Sequence, residues 1–403
     1  MTATLPTTPR TTSGVTNGRY EIADCRVEDL VALIDAGLEA TRLADYPYAA
    51  ELREGVLVYE AGALRAAVEA GEEEAIESEL ARAFADGPGI VVLAGAFEPD
   101  VVDAASDAFR RLIEEQKAAG REIGDHFAKP GANDRVWNGL EKFAVAEPEA
   151  FVDYYANDLL ALVSRAWLGP AYQVTSQINV VNPGGQRQEV HRDYHLGFLG
   201  AQAAAGYPRH VHHLSPALTL QGAVAHVDMP VESGPTLYLP HSQKYAPGYL
   251  AWWLEEFKAH FDSTHIQLPL AKGDAVFFNP ALFHAAGTNH SADIKRMANL
   301  LQVSSAFGRA MESIDRERVS LAIYLALQAA LAHGRLDHAA ADRVVAASAE
   351  GYPFPTNLDL DPPIGGLAPA SQADHVRQAL RDGASLEQLT QTLREYGGRR
   401  ATS

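Results

Sequence analysis

The spacing of apolar positions changes twice along this chain. Over residues 27–85 they recur at helical intervals, as Leu30, Leu33 and Ile34 and again as Leu64, Ala67 and Val68, with Glu-rich outer faces. Residues 89–94 form a short apolar run, expected as a buried strand, and Pro99, suited to a first helical position, opens a helix to about residue 119. A second helix is expected over 148–167. The middle third then switches to alternating or wholly apolar runs at 171–181, 217–228, 236–240, 266–270, 275–279 and 297–304, bounded by Gly, Pro, Asn or Ser. Several short strands of this kind predict a sandwich or jelly roll. One helix, 249–260, interrupts them. After Phe307 the helical period returns at 310–333, 337–347 and 385–396, where Ser385 and Gln388 form a capping box. Residues 352–370, rich in Pro and Gly, read as a loop. The pattern divides the chain into a flexible tail (1–20), a helical N-terminal extension (21–85), a β core (86–307) and a helical C-terminal extension (308–403), an α+β arrangement.

Composition narrows the function. With 33 Lys and Arg against 52 Asp and Glu, the formal charge is −19, which argues against nucleic acid or an anionic membrane as the main partner. Cys25 is the single cysteine, so no disulfide forms within the chain, and a reducing cytoplasm is the expected compartment. Residues 1–14 lack the apolar core of a signal peptide, and no apolar run approaches the roughly 20 residues that span a bilayer. The sequon at Asn289 to Ser291 is read as chance. A small-molecule substrate and a monomer or homodimer are expected.

The chemistry lies among the fifteen histidines. Two His and a carboxylate can hold iron on one face and leave three positions open, and His-x-Asp on a strand delivers two of these ligands because residues i and i+2 share a face. By composition alone about one such tripeptide is expected by chance. Three are present, at His191/Asp193, His226/Asp228 and His260/Asp262. The second His must come from a later strand folded back beside the first. His260 lies only 24 residues before His284, and His226 lies 58 before it in an apolar run, where a core histidine is the favoured reading. His191 lies 93 residues before His284, which leaves room for four strands, and it follows the turn-forming Asn182-Pro183-Gly184-Gly185. His191, Asp193 and His284 are therefore the expected ligands. Arg296, 12 residues beyond His284, offers the planar fork that suits a dicarboxylate such as 2-oxoglutarate.

From 89 to 303 these residues resemble the phytanoyl-CoA dioxygenase family of Fe(II)/2-oxoglutarate oxygenases. The likeness rests on the 89–93 strand, His191-Arg192-Asp193, the turn from Glu232 to Ser242, and a distal block of Gly273, Asp274, His284, Gly287, Asn289, Ser291 and Arg296. It implies a double-stranded β-helix of jelly-roll or cupin-like form, iron on His191, Asp193 and His284, and the 2-oxoglutarate carboxylate on Arg296, with O2 as the other cosubstrate. Asp193 stands where halogenating relatives carry Gly or Ala, which favours oxygen transfer. Ala286 stands where many members carry a Ser that holds the cosubstrate; Gln177, Asn179 and Thr219 are the candidates to replace it.

The expected activity is hydroxylation, or another oxidation of a C–H bond, in a metabolite or natural-product intermediate, with release of succinate and CO2. Substrate contacts are expected among Trp137, Asn138, Lys142, Tyr194 and His195, with His213 drawn from the cluster His210-Val211-His212-His213, which reads either as a second metal site or as pocket polarity. Two alternatives remain open: a cupin-like metal enzyme without 2-oxoglutarate, and a binding protein on the same fold.

Overall fold

The computed structural model describes residues 18–120 and 131–402, so most of the expected tail lies outside the described residues. The chain opens with α1 (Val27–Ala40), β1 (Glu51–Arg53), β2 (Val56–Glu60), α2 (Ala61–Glu69) and α3 (Glu73–Ala85). Next come β3 (Ile90–Ala94), α4 (Pro99–Ala118), β4 (Asn133–Val136), α5 (Gly139–Ala146), α6 (Pro148–Tyr155), α7 (Asp158–Leu168) and β5 (Gln173–Val181). The central part holds α8 (Ala201–Ala205), α9 (Arg209–Ala217), β6 (Thr219–Ala225), β7 (Leu237–Leu239), α10 (Gly248–Ala251) and α11 (Glu255–Thr264). It continues with β8 (Ile266–Gln267), β9 (Ala275–Phe278), β10 (Phe283–Ala285) and β11 (Arg296–Ser304). Four helices follow: α12 (Arg316–Ala332), α13 (His338–Ser348), α14 (Gln372–Asp382) and α15 (Leu386–Arg400).

Eight strands make a large sheet in the order β1-β2-β3-β9-β6-β11-β5-β4, and three make a small one, β10-β7-β8. Every pairing is antiparallel except β2 with β3. Alternation along each strand sorts the side chains into two faces. Val58, Val92 and Val276 of the large sheet turn inward and meet Tyr238 of the small sheet, with Leu268 and Leu282 beside it. Leu57, Val91, Ile178, Val224, Phe277 and Leu301 turn outward into a second core, where α3, α4, α5, α7 and α13 cover the sheet. Two sheets closed on a shared interior make the expected jelly roll, α+β in class.

Several expectations need correction. The segment 21–85 is not wholly helical: Val56-Leu57-Val58-Tyr59 is buried throughout and joins the large sheet as β2. Glu54 (φ 49°) and Gly55 (φ 79°) form the two-residue turn that returns β1 onto it, a geometry that needs positive φ at both positions. The extension at 21–85 therefore shares its sheet with the core. The expected helix at 148–167 breaks at Asn157, whose side chain caps α7 by accepting the Leu160 N–H at 2.8 Å. That at 249–260 divides into α10 and α11, and the strand at 266–270 shrinks to β8. Helices α5, α8, α9 and α14 arise where none was expected. Among the described residues, no helix is long and apolar enough to cross a membrane.

Candidate metal centre

His191 and His284 face each other as an isolated antiparallel pair, each donating its backbone N–H to the other's carbonyl, at 3.0 and 3.2 Å. Gln188 N–H to Ala286 O (3.0 Å) and Asp193 N–H to Pro280 O (3.1 Å) flank this bridge outside its register, so residues 188–193 run beside β10 without continuing a ladder. The strand expected after the Asn182–Gly185 turn is thus reduced to a single bridge. Between the two histidines run β6, β7, β8 and β9, the four strands that the spacing required. Asp193, two residues beyond His191, falls on the same face. One ligand atom from each of His191, Asp193 and His284 lies within 4.8 Å of the others, the spacing a single metal ion requires.

The donor set fits iron. His191 Nδ1 contacts Glu189 O and His284 Nδ1 contacts Leu282 O, both at 2.8 Å. A carbonyl can only accept, so each Nδ1 carries the proton and each Nε2 is left as a lone-pair donor directed at Asp193, at 3.8 and 3.5 Å. Burial raises the Asp193 carboxyl, but the positive charge of His191 and His284 when protonated and an N–H from Gln221 Nε2 outweigh it and hold the group well below the usual carboxylate range; a metal ion would take the place of the Nε2 protons. Two imidazole Nε2 atoms and one carboxylate on one face suit Fe(II).

Arg192, between the ligands, points the opposite way. It is 2% exposed and lies between the rings of Tyr249 and Phe283, 5.1 and 5.0 Å from its guanidinium. Its Nη2 donates to Ser242 O at 2.6 Å and to Tyr245 O at 2.9 Å. Burial pushes its pKa down to about 10. Gly248 permits this packing, because a Cβ there would stand 2.0 Å from Arg192 Cζ. Beyond Asp193 the backbone turns through positive φ at both Tyr194 (63°) and His195 (43°), strained values for non-glycine residues that send the chain away from the metal face.

The rival motifs lie elsewhere. His226 sits on the helix side of the large sheet, with Ser106 Oγ at 2.8 Å from Nδ1 and Tyr154 Oη at 3.0 Å from Nε2, and burial pushes it down to about 3. It is a core histidine. His260 is on α11. His213 is on α9, exposed, with Nε2 3.2 Å from Tyr20 Oη, and no second metal cluster forms there among the described residues.

Arg296 opens β11, 6% exposed, and no carboxylate among the described residues forms an ion pair with it. Among the described residues its guanidinium makes one hydrogen bond, from Nη1 to Gly287 O at 3.5 Å, and burial pushes its pKa down to about 10. A buried guanidinium without a counter-ion is costly, and an anion in that space would offset the cost. Asn179 is paired with Ala298, two residues from Arg296, on the same inner face. Gln177, paired with Leu300, accepts from Arg135 Nη2 at 2.7 Å. Thr219 is paired with Ser304, eight residues from Arg296 and thus roughly 25 Å away along the strand. A short dicarboxylate cannot bridge that gap, so the expectation that Thr219 helps hold it is corrected.

Near the site, Trp137 lies beneath the Arg135 guanidinium, 4.3 Å away, and the Asn138 backbone N–H donates to Glu312 at 2.7 Å. Tyr194 is buried beside Asp193, and burial raises the Glu312 carboxyl although Asn138, Gln177, Arg135 and Lys142 pull it back. Sequence reasoning missed Gln221, Arg192, Gly248 and Glu312. Inward parity on β6 would have offered Gln221 as a candidate, but not its contact with Asp193.

The family profile described as phytanoyl-CoA dioxygenase (PhyH) matches residues 85–297. No curated protein matches the chain. Among solved structures, the non-heme alpha ketoglutarate dependent epimerase SnoN from nogalamycin biosynthesis is similar at 19% identity and a TM-score of 0.41, covering 58% of this chain and 82% of its own. EctD from S. alaskensis, solved with 2-oxoglutarate and 5-hydroxyectoine, is similar at 20% identity and a TM-score of 0.43, covering 57% and 76%. The non-heme alpha ketoglutarate dependent carbocyclase SnoK is similar at 20% identity and a TM-score of 0.42, covering 62% and 91%. The profile spans more than half of the sequence and encloses the His191, Asp193 and His284 cluster as well as Arg296, so the chain belongs to the phytanoyl-CoA dioxygenase family of iron- and 2-oxoglutarate-dependent enzymes.

Proposed function

We propose that this protein hydroxylates a C–H bond of a small metabolite or natural-product intermediate, using Fe(II), 2-oxoglutarate and O2. The observation that carries the reading is the pairing of a metal-competent His191, Asp193 and His284 cluster with Arg296, a buried guanidinium that has no acidic partner among the described residues. When bound, iron supplies with 2-oxoglutarate and O2 the oxidising power that replaces C–H by C–OH and releases succinate and CO2. The chain's own residues orient and exclude. His191 and His284 present Nε2 because their Nδ1 protons are committed to Glu189 O and Leu282 O. Asp193 stays ionised beside them, with Gln221 holding its Oδ2. Arg296 would grip the distal carboxylate of 2-oxoglutarate in a dry site, with Asn179 on the same inner face, opposite Ala298 two residues along the strand. A cupin-like enzyme without 2-oxoglutarate would leave the burial of Arg296 unexplained.

Anaerobic titration of the protein with Fe(II) and then 2-oxoglutarate tests this reading. A visible charge-transfer band should form, and it should vanish in His191→Ala. A band that survives in His191→Ala and fails in His226→Ala would show that the wrong motif had been chosen. Succinate release across a metabolite panel then identifies the substrate.

A further inference from the structure

The inner face of the large sheet is chemically divided. Strands β2, β3 and β9 line it with valines, whereas β4, β5, β6 and β11 turn Arg135, Gln177, Gln221 and Gln302 into it. These four side chains form two short hydrogen-bonded strings, each with its polarity fixed at one end by a charged group.

Arg135 can only donate, so Gln177 meets it with Oε1, at 2.7 Å. The Gln177 amide must then send Nε2 the other way, and it donates to Gln302 Oε1 at 3.3 Å. Gln302 is thereby left with Nε2 as a donor, and that nitrogen has no acceptor among the described residues. The other string starts at the metal cluster. Asp193 can only accept, so Gln221 meets it with Nε2, and Gln221 Oε1 is left as an acceptor, buried and without a donor. Gln221 and Gln302 are direct cross-strand partners in the antiparallel register, yet they do not bond to each other. Two orientations that would ordinarily be ambiguous are here set by a guanidinium at one end and a carboxylate at the other. The result is one donor without a protein acceptor among the described residues, on a side chain 6% exposed, beside one fully buried unmet acceptor next to the ligand carboxylate Asp193. Buried polar atoms without partners are few in folded proteins, and a side-by-side donor and acceptor is met at once by a group that offers the reverse pair.

We propose that Gln221 and Gln302 form a reading edge for a substrate with a C=O beside an N–H, a carboxamide or lactam, whose carbonyl takes the Gln302 Nε2 proton and whose N–H binds Gln221 Oε1. This rests on the oxygenase reading above and adds to it the class of substrate. An acyl chain would leave both atoms unmet. Pocket sites built to hydrogen-bond a polar group reject analogues that lack it, because the protein's own atoms are then stranded.

The probes are four five-membered rings of nearly equal size: 2-pyrrolidinone, cyclopentanone, cyclopentane and pyrrolidine. Each is titrated anaerobically into the Fe(II)- and 2-oxoglutarate-loaded protein, and the perturbation of the charge-transfer band is read. The lactam should bind about tenfold more tightly than the ketone, the value of one ordinary hydrogen bond, and more tightly still than the hydrocarbon. Gln302→Leu should cut the lactam's advantage over cyclopentane about tenfold, leaving only the share contributed by Gln221 Oε1. Gln302→Glu, which keeps the shape and the acceptor for Gln177 but replaces the donor by a second acceptor, should turn preference from the lactam to protonated pyrrolidine. That reversal keeps the test valid if the Leu variant fails to fold. Equal affinity for lactam and ketone, no lactam binding at all, or an unchanged order in Gln302→Glu overturns the reading edge while leaving the oxygenase intact. Absence of any band on adding 2-oxoglutarate sinks the oxygenase reading, and the edge with it.

Discussion

The substitution Gly248→Ala tests how the His191-Arg192-Asp193 segment is held. Gly248 has no positive φ, so alanine is acceptable to the backbone and the effect is purely one of space. The new Cβ would lie 2.0 Å from Arg192 Cζ and 2.1 and 2.3 Å from its two terminal nitrogens. Ordinary contact begins near 3.5 Å, so the guanidinium must move by about 1.5 Å. It has nowhere to go without leaving its place between Tyr249 and Phe283 and stretching the bonds of 2.6 and 2.9 Å to Ser242 O and Tyr245 O. Each of those bonds to a charged donor contributes roughly 1.5–3 kcal/mol, so one methyl group should destabilise the fold by about 3 kcal/mol. Urea unfolding at unchanged m-value reads the loss. Because Arg192 separates two of the three ligands, a Co(II) titration should show weakened metal binding as well. Gly62→Ala is the control: nothing lies within 4 Å of a Cβ there, and the change should be neutral or stabilising by about 0.5 kcal/mol. If Gly248→Ala matches the parent in both stability and Co(II) affinity, the guanidinium does not hold the motif as described.

Other outcomes follow from single groups. Arg296→Met should weaken 2-oxoglutarate binding in the anaerobic titration by at least about 30-fold, the cost of roughly 2–5 kcal/mol for losing one partner of a buried charge pair, with no loss of fold stability; equal affinity would refute the assignment. Burial pushes His226 down to about 3, so the unfolded chain takes up a proton near pH 6.5 that the folded one refuses. Stability from this group is complete above pH 6.5 and declines as pH falls toward 3, by about 2 kcal/mol between 6.5 and 5. Unfolding curves of His226→Gln should be flatter over that window, and parallel curves would exclude the effect. Cys25 is buried and its thiol is pushed up to about 11 by burial, so a thiol reagent at pH 8 should label it only after denaturation; rapid labelling of the native protein contradicts this.

The triad was legible in the sequence because two constraints converge on it. A strand has a period of two, which makes His191 and Asp193 co-facial, and four strands must fit before a ligand can return, which selects His191 over His226 and His260. Arg296 was legible for a similar reason, as a cation at the start of the strand after His284. What could not be read was anything set by which strands become neighbours. Gln221 reaches Asp193 only because β6 lies between β9 and β11, and Gln302 meets Gln177 only through the β5–β11 register. Thr219 looked equivalent to Asn179 as a strand amide or hydroxyl, and only the register separates them by most of a strand's length. The hairpin at Glu54-Gly55 was hidden by helical periods on both sides, since β2 is too short to set a period of its own. Arg192 carried no signal, because its partners are backbone carbonyls.

The single bridge between His191 and His284 joins points 93 residues apart through two backbone hydrogen bonds. In polymer terms the site is the knot of a long closed loop, and an ion shared by the two imidazoles would act as a removable cross-link. Closing a loop of about 100 residues restricts the unfolded chain by an amount near 4–5 kcal/mol in the entropic account. The metal should therefore contribute to mechanical integrity as well as to chemistry. Chelation should speed hydrogen exchange along residues 188–193 and β10 first, while the long β5–β11 ladder keeps its protection. Uniform loosening of both would mean that the ion fastens nothing in particular.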